Sequence, residues 1–175
     1  MNQEITIEAL KIADCYESKK VINSVWRDAY KHIFPEEVFD NKDRKLQESA
    51  KKLENLLKND KIFGFIAKND NKIVGVVIGA YESEYEHYSS LGYSDLQIIY
   101  ILPEYQKCGI GSKFFNLIKN VLKQNKKTKM VICALAENHI ARSVYEKWGG
   151  KLDTYQKDYI VEGKSYKDVF YLFEL

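Results

Sequence analysis

Between Asp95 and Leu175 the chain alternates apolar runs of strand length with segments of helical period, and that alternation constrains the fold more than any other feature. "DLQIIYIL" is dense in β-branched and aromatic residues and is ended by Pro103. Next, Ile110, Phe114, Leu117, Ile118 and Val121 recur at helical spacing, opposite Ser112, Lys113, Asn116 and Lys119. "KMVICAL" is a further strand and "NHIARSVYEKW" a further helix, with Asn138 placed to cap it and Gly149 to end it. Strand, helix, strand, helix predicts a parallel crossover.

Elsewhere the pattern predicts antiparallel pairing. "IFGFIA" and "KIVGVVIGAY" flank the turn chemistry of "KNDNK", and the last segment reads as two strands around Glu162 and Gly163. "ITIEAL" from Ile5 is a strand, after which Asp14 is placed to cap a helix with Val21, Ile22, Val25, Trp26 and Ala29 on its apolar face. Pro35 marks a break, and Glu36 to Asn59 is charged and helix-prone with Leu46, Leu53, Leu56 and Leu57 as a stripe. The expected fold is therefore α/β: a mixed, mostly antiparallel sheet with helices on both faces, in a single domain over residues 1–175.

Composition excludes several classes. With 27 basic and 25 acidic side chains, a broad footprint for nucleic acid is absent. No apolar run approaches the roughly 18 residues of a membrane span, and the start of the chain lacks a secretory pattern, so a cytoplasmic location is expected. Cys15, Cys108 and Cys133 are widely spaced, as reduced thiols rather than a disulfide frame or zinc site. No motif indicates a metal. The basic cluster from Lys123 to Lys129 reads as a solvated helix end.

"QKCGIG", Gln106 to Gly111, joins the strand before Pro103 to the following helix. A dinucleotide loop requires a third glycine where Phe114 stands, and a Walker loop requires a Lys-Ser or Lys-Thr pair that is missing. What remains is a nest of backbone N–H groups at a helix start, suited to an anion.

"IIYILPEYQKCGIGSKFF" resembles the acetyl-CoA motif of the GCN5-related N-acetyltransferase (GNAT) superfamily, through Gln106, Gly109 and Gly111. "AENHIARSVYEKWGGK" resembles its second motif, through Asn138, Ala141, Tyr145, Glu146, Lys147 and Gly149. Cys108 departs from the glycine or basic residue usual there and is a candidate reactive thiol. The resemblance implies the GNAT fold, acetyl-CoA as acetyl donor and no metal. It implies a cofactor site of Ile99, Tyr100, Ile101, Gln106, Lys107, Cys108, Gly109, Ile110, Gly111, Ser112, Asn138, Ser143 and Tyr145.

It further implies direct transfer to an amine. An alkylammonium of pKa about 10.4 is roughly 99.9% protonated at neutral pH, a penalty of about 4 to 5 kcal/mol that a base must offset. Asp95 matches the family's carboxylate position; Glu82 and Glu84, with Glu86, are alternatives if the preceding strand extends that far, as is a water relay. Tyr81, Tyr85 and Tyr88 beside them are suited to stack on a cation. Tyr145 matches the general acid that protonates the departing thiolate, and a backbone N–H near Tyr100 or Ile101 matches the oxyanion donor.

"WRDAYKHIFPEE" resembles the acceptor side of bacterial members acting on small amines, including polyamines, which adds Trp26 and Tyr30, with Glu36, Glu37 and Asp40 contributing negative charge. A small cationic amine is the expected partner. Protein amino-terminal or lysine acetylation, and a non-catalytic acetyl-CoA sensor, are the alternatives. The apolar "VFYLFEL" is expected either to pair within the sheet or to exchange with a second chain in a homodimer.

Overall fold

The computed structural model describes residues 5–175. In chain order the strands are β1 (Ile5–Ala9), β2 (Ile62–Asn69), β3 (Lys72–Ala80), β4 (Ser94–Ile101), β5 (Lys129–Leu135), β6 (Lys151–Val161) and β7 (Lys164–Glu174). The helices are α1 (Cys15–Tyr30), α2 (Glu36–Arg44), α3 (Leu46–Leu56), α4 (Glu86–Ser89), α5 (Ile110–Gln124) and α6 (His139–Lys147). The strands form one sheet of seven in the order β1-β2-β3-β4-β5-β7-β6. The pairs β1·β2, β5·β7 and β6·β7 are antiparallel and β4·β5 is parallel, so the sheet is mixed as expected.

The chain divides into two compact units, residues 1–79 with 98–118 and residues 80–97 with 119–175. In the first, α1 buries Val21, Ile22, Val25, Trp26 and Tyr30, whereas Ala29 is exposed, contrary to the pattern reading. Asp14 occupies the N-cap position of α1, but its carboxylate accepts the Lys11 N–H at 3.0 Å instead of capping. The segment after Pro35 is two helices, because at Lys45 ψ leaves the helical range. Ala50 and Leu53 are the buried positions of α3, and Leu56 is exposed.

Bare backbone at two glycines brings β3 against α5 within this unit. A Cβ on Gly75 would lie 3.1 Å from Phe114, and one on Gly79 would lie 2.8 Å from Phe63 and 3.2 Å from Ile118.

The second unit has its own aromatic core. Tyr88, Val131 and Phe170 are fully buried, with Tyr85, Tyr93, Cys133, Tyr155 and Leu172 packed around them. β7 is spent between β5 and β6 of the same chain, with register from Lys129↔Glu174 to Leu135↔Asp168 on one side. Asn138 caps α6 as expected, its Oδ1 accepting the Ala141 N–H at 3.1 Å. Gly149 ends the same helix at φ 90°, and Glu162 and Gly163 form the β6–β7 turn with positive φ.

The strand does not extend to Glu82, Glu84 and Glu86, because β3 stops at Ala80 and Glu86 opens the short helix α4. Contacts from the far side of this loop impose the break. Ser94 Oγ donates to Tyr81 O at 3.0 Å, the Ser83 N–H to Tyr93 O at 2.9 Å, and the Glu84 N–H to Asp95 Oδ2 at 2.7 Å.

Trp26 and Tyr30 do not present open faces to a ligand. Trp26 stacks on Phe34 at 5.0 Å and meets Tyr30 and Phe39 at 4.8 and 5.7 Å, inside the first unit's core. Nor is the acidic segment after Pro35 unpaired charge, since Arg27 pairs with Glu36, Asp40 and Asp43.

Candidate functional site

In the first unit, the segment from Ile99 to Ser112 is built as a donor-rich loop. Ile99, Tyr100 and Ile101 are half-buried, and β4 is closed by the Leu102 N–H donating to Val74 O at 2.9 Å. Pro103–Tyr105 form a single helical turn, after which Gln106 is extended and its side-chain amide donates to Ile101 O at 2.9 Å. Gln106 thereby ties the loop to the strand that precedes it.

Lys107 and Gly109 both adopt left-handed backbone, at φ 59° and 82°. This turns successive N–H groups outward where a regular turn would pair them. Among the described residues no acceptor takes the N–H of Lys107 through Ser112; the first satisfied donor is Lys113, on Gly109 O at 3.0 Å. Such a run of orphan donors at the start of a helix of 15 residues, flanked by the exposed Lys107 and Lys113, is an anion cradle. Ile110 is buried and anchors the helix end, while Gly111 is half-buried and Ser112 exposed. Cys108 is exposed, with its thiol on Gln106 O at 3.3 Å.

In the second unit, α6 carries Asn138, Ser143 and Tyr145. Ser143 is exposed and Asn138 half-buried, whereas Tyr145 is 7% exposed and packs on Trp148 and Tyr171 at 5.9 and 5.8 Å. A polar chain runs beside it: Arg142 Nε donates to Tyr171 Oη at 3.1 Å, and that hydroxyl donates to Glu146 Oε1 at 2.8 Å. The helix is thus pinned to β7.

Asp95 is 2% exposed, accepts the Glu84 N–H, and keeps Oδ1 buried without a hydrogen-bond partner. Desolvation pushes its carboxyl from 3.8 up to about 6, against the opposing pull of the Glu84 N–H. The native state therefore holds a proton that the unfolded chain has released between about pH 4 and 6, which favours folding at the acid side and is lost as pH rises through 6. This costs on the order of 3 kcal/mol at pH 7. Asp95→Asn is expected to remove that dependence: in denaturant titrations, the wild type should lose stability relative to the variant between pH 4.5 and 7. A difference that stays constant across the interval would refute it.

A cavity of about 730 Å³ lies in this unit, lined by Glu84, Tyr85, His87, Tyr155 and Lys157 together with Glu86, Ser90 and Leu91. The His87 and Tyr155 rings stack at 4.2 Å. Tyr85 leans on Phe170 at 4.8 Å, and burial holds its phenol protonated. Glu84 remains solvent-accessible, yet protein atoms crowd its carboxyl; desolvation raises its pKa and Lys157 opposes the rise. Asp168 is raised likewise by burial, partly offset by a hydrogen bond with Cys133 and by Lys157, while Glu137 and Glu84 add to the rise. The half-buried Cys133 thiol is pushed up to about 12, first by desolvation. An acidic, ring-lined cavity of this kind suits an organic cation.

Of the residues singled out in the sequence, the structure brings Glu84 and Asp95 together through one hydrogen bond, and gathers Gln106 to Ser112 in the donor loop. His87, Tyr155, Lys157 and Asp168 were not singled out. Asp168 had a local signal, as a charge inside the apolar run of "YKDVFYLF"; the other three had none.

The family model of the acetyltransferase (GNAT) family matches residues 21–150. A search of curated protein sequences finds no match. Among solved structures, PaiA N-acetyltransferase from Thermoplasma acidophilum, crystallised with coenzyme A, superposes with a TM-score of 0.77 at 20% identity, covering 98% of this chain and 99% of that one. The ribosomal-protein-S18-alanine N-acetyltransferase of Escherichia coli gives 0.69 at 17% identity, over 98% and 94%. YncA of Salmonella typhimurium, a putative acetyltransferase solved with acetyl-CoA, gives 0.64 at 14%, over 98% and 94%. At these identities the likeness is one of fold.

Proposed function

The chain belongs to the acetyltransferase (GNAT) family, and from that premise we propose that it transfers the acetyl group of acetyl-CoA directly to a small cationic primary amine such as a polyamine. When bound, acetyl-CoA supplies an acetyl thioester activated for attack by an amine. The orphan N–H groups from Lys107 to Ser112 fit its pyrophosphate, with Lys107 and Lys113 adding positive charge. Backbone amides of Ile99 to Ile101 would hold its pantetheine arm, and an N–H at Tyr100 or Ile101 would be the donor to its thioester oxygen.

In this reading Tyr145 Oη gives the departing sulfur its proton. Glu84, accessible and raised by desolvation, accepts the proton of the acceptor ammonium directly or through water. Asp95 is a positioning residue, acting through its bond to the Glu84 backbone.

The observation that carries the choice of acceptor is the cavity pairing Glu84 and Glu86 with the rings of Tyr85 and Tyr155. Release of CoA thiol from acetyl-CoA, followed with spermidine, with neutral amines and with peptides, tests it. Spermidine-dependent release is expected. Release with peptide amino termini and none with spermidine would establish protein acetylation instead, and tight acetyl-CoA binding with no amine-dependent release would establish a sensor.

Gly109→Val tests the cradle. At φ 82° a β-branched residue is strained by about 1–3 kcal/mol, and relief reorients the donors. The KM for acetyl-CoA should rise by about tenfold, the equivalent of about 1.4 kcal/mol. An unchanged KM would show that the pyrophosphate lies elsewhere.

A further inference from the structure

Among the described residues, Lys157 is the only Lys or Arg lining the acidic cavity of the second unit. The β6–β7 ladder sets it opposite Asp168, and its Nζ lies 5.2 Å from the centroid of the Tyr85 ring. It attracts both Glu84 and Asp168. Even so, among the described residues no carboxylate lies within ion-pair distance of Nζ, and the side chain is exposed. The neighbouring rung shows the contrast, where Lys167 closes on Asp158 at 2.7 Å.

A lysine side chain ends as an alkyl chain bearing a primary ammonium. That is the chemistry the cavity is read as taking from its acceptor, over the same ring and toward the same carboxylates. We propose that Lys157 is a built-in competitor of the acceptor, its ammonium standing over Tyr85 where the cationic amine binds and swinging out to solvent when that amine enters. The inference rests on the small-cation reading under Proposed function.

The arrangement has a consequence for selectivity. An acceptor must displace a tethered cation at high effective concentration, so a dication that engages both carboxylates lining the cavity, Glu84 and Glu86, gains over a monoamine that replaces Lys157 charge for charge. Between visits Lys157 also keeps two crowded carboxylates from facing one another without a counter-charge.

Lys157→Gln keeps a polar chain and removes the ammonium, and exposure makes it harmless to folding. Its KM for spermidine should fall about fivefold, as loss of one exposed cation–ring contact implies, with the KM for acetyl-CoA unchanged. Lys157→Arg should retain the wild-type KM. The Gln variant's advantage should also shrink as ionic strength rises. Turnover of spermidine by the wild type with an equal or higher KM in Lys157→Gln overturns the competitor and leaves the proposed function standing. No spermidine-dependent thiol release from either protein overturns the function, and the competitor with it.

Discussion

Tyr145→Phe should lower kcat about 100-fold and leave acetyl-CoA affinity within about twofold, the pattern of an interaction made only in the transition state. The substitution is nearly isosteric. The ring's packing on Trp148 and Tyr171 survives, and the backbone contact of the Gly150 N–H with Tyr145 O is untouched. Only the hydroxyl goes. Tyr145 is 7% exposed, so the change alters almost no solvent-facing surface. Steady-state kinetics beside an equilibrium titration with acetyl-CoA separates the effects: unchanged kcat would remove Tyr145 from the chemistry, and parallel loss of affinity would make it a binding residue.

Phe170→Ala is expected to cost about 3–5 kcal/mol of stability, the largest loss from any single truncation proposed for this chain. Phe170 is fully buried and lies opposite Cys133 on the β5–β7 ladder. Tyr85, Tyr88 and Tyr155 meet its ring at 4.8, 4.9 and 5.5 Å. The ring is therefore the floor beneath two cavity residues as well as core. For a chain of this size, thermal unfolding should occur about 10 °C lower. Where the variant still folds, the KM for the amine should rise while that for acetyl-CoA holds. A fall of less than about 2 °C would mean that neighbouring rings refill the space.

How much was legible follows from the range of the interactions involved. The Asn138 cap, the Gly149 stop and the Glu162–Gly163 turn are fixed within a few residues, and all three were read from local chemistry. The glycine loop was read the same way, because its left-handed positions depend on its own residues. The end of β3 was not, since it is dictated by Tyr93, Ser94 and Asp95 clasping the 81–84 segment after the chain has turned back.

Trp26 and Tyr30 mislead for a related reason: an aromatic on a helix reads alike whether it faces a ligand or stacks on Phe34. The cavity of the second unit draws Glu84 and Lys157 from segments more than seventy positions apart, and neither has a neighbour that betrays the other.

β6 precedes β7 in sequence, yet β7 is the strand that inserts beside β5. During synthesis, β5 leaves the ribosome with one edge bare, and β6 cannot cover it, because the place belongs to a strand not yet made. That strand is β7, which must reach the waiting edge and is joined to β6 through the turn at Glu162 and Gly163. Until it does, the nascent chain displays "KMVICAL", a short, nearly uncharged β-rich segment of the kind that associates between molecules. The rate at which β7 reaches that edge therefore sets how long each new copy is exposed to aggregation.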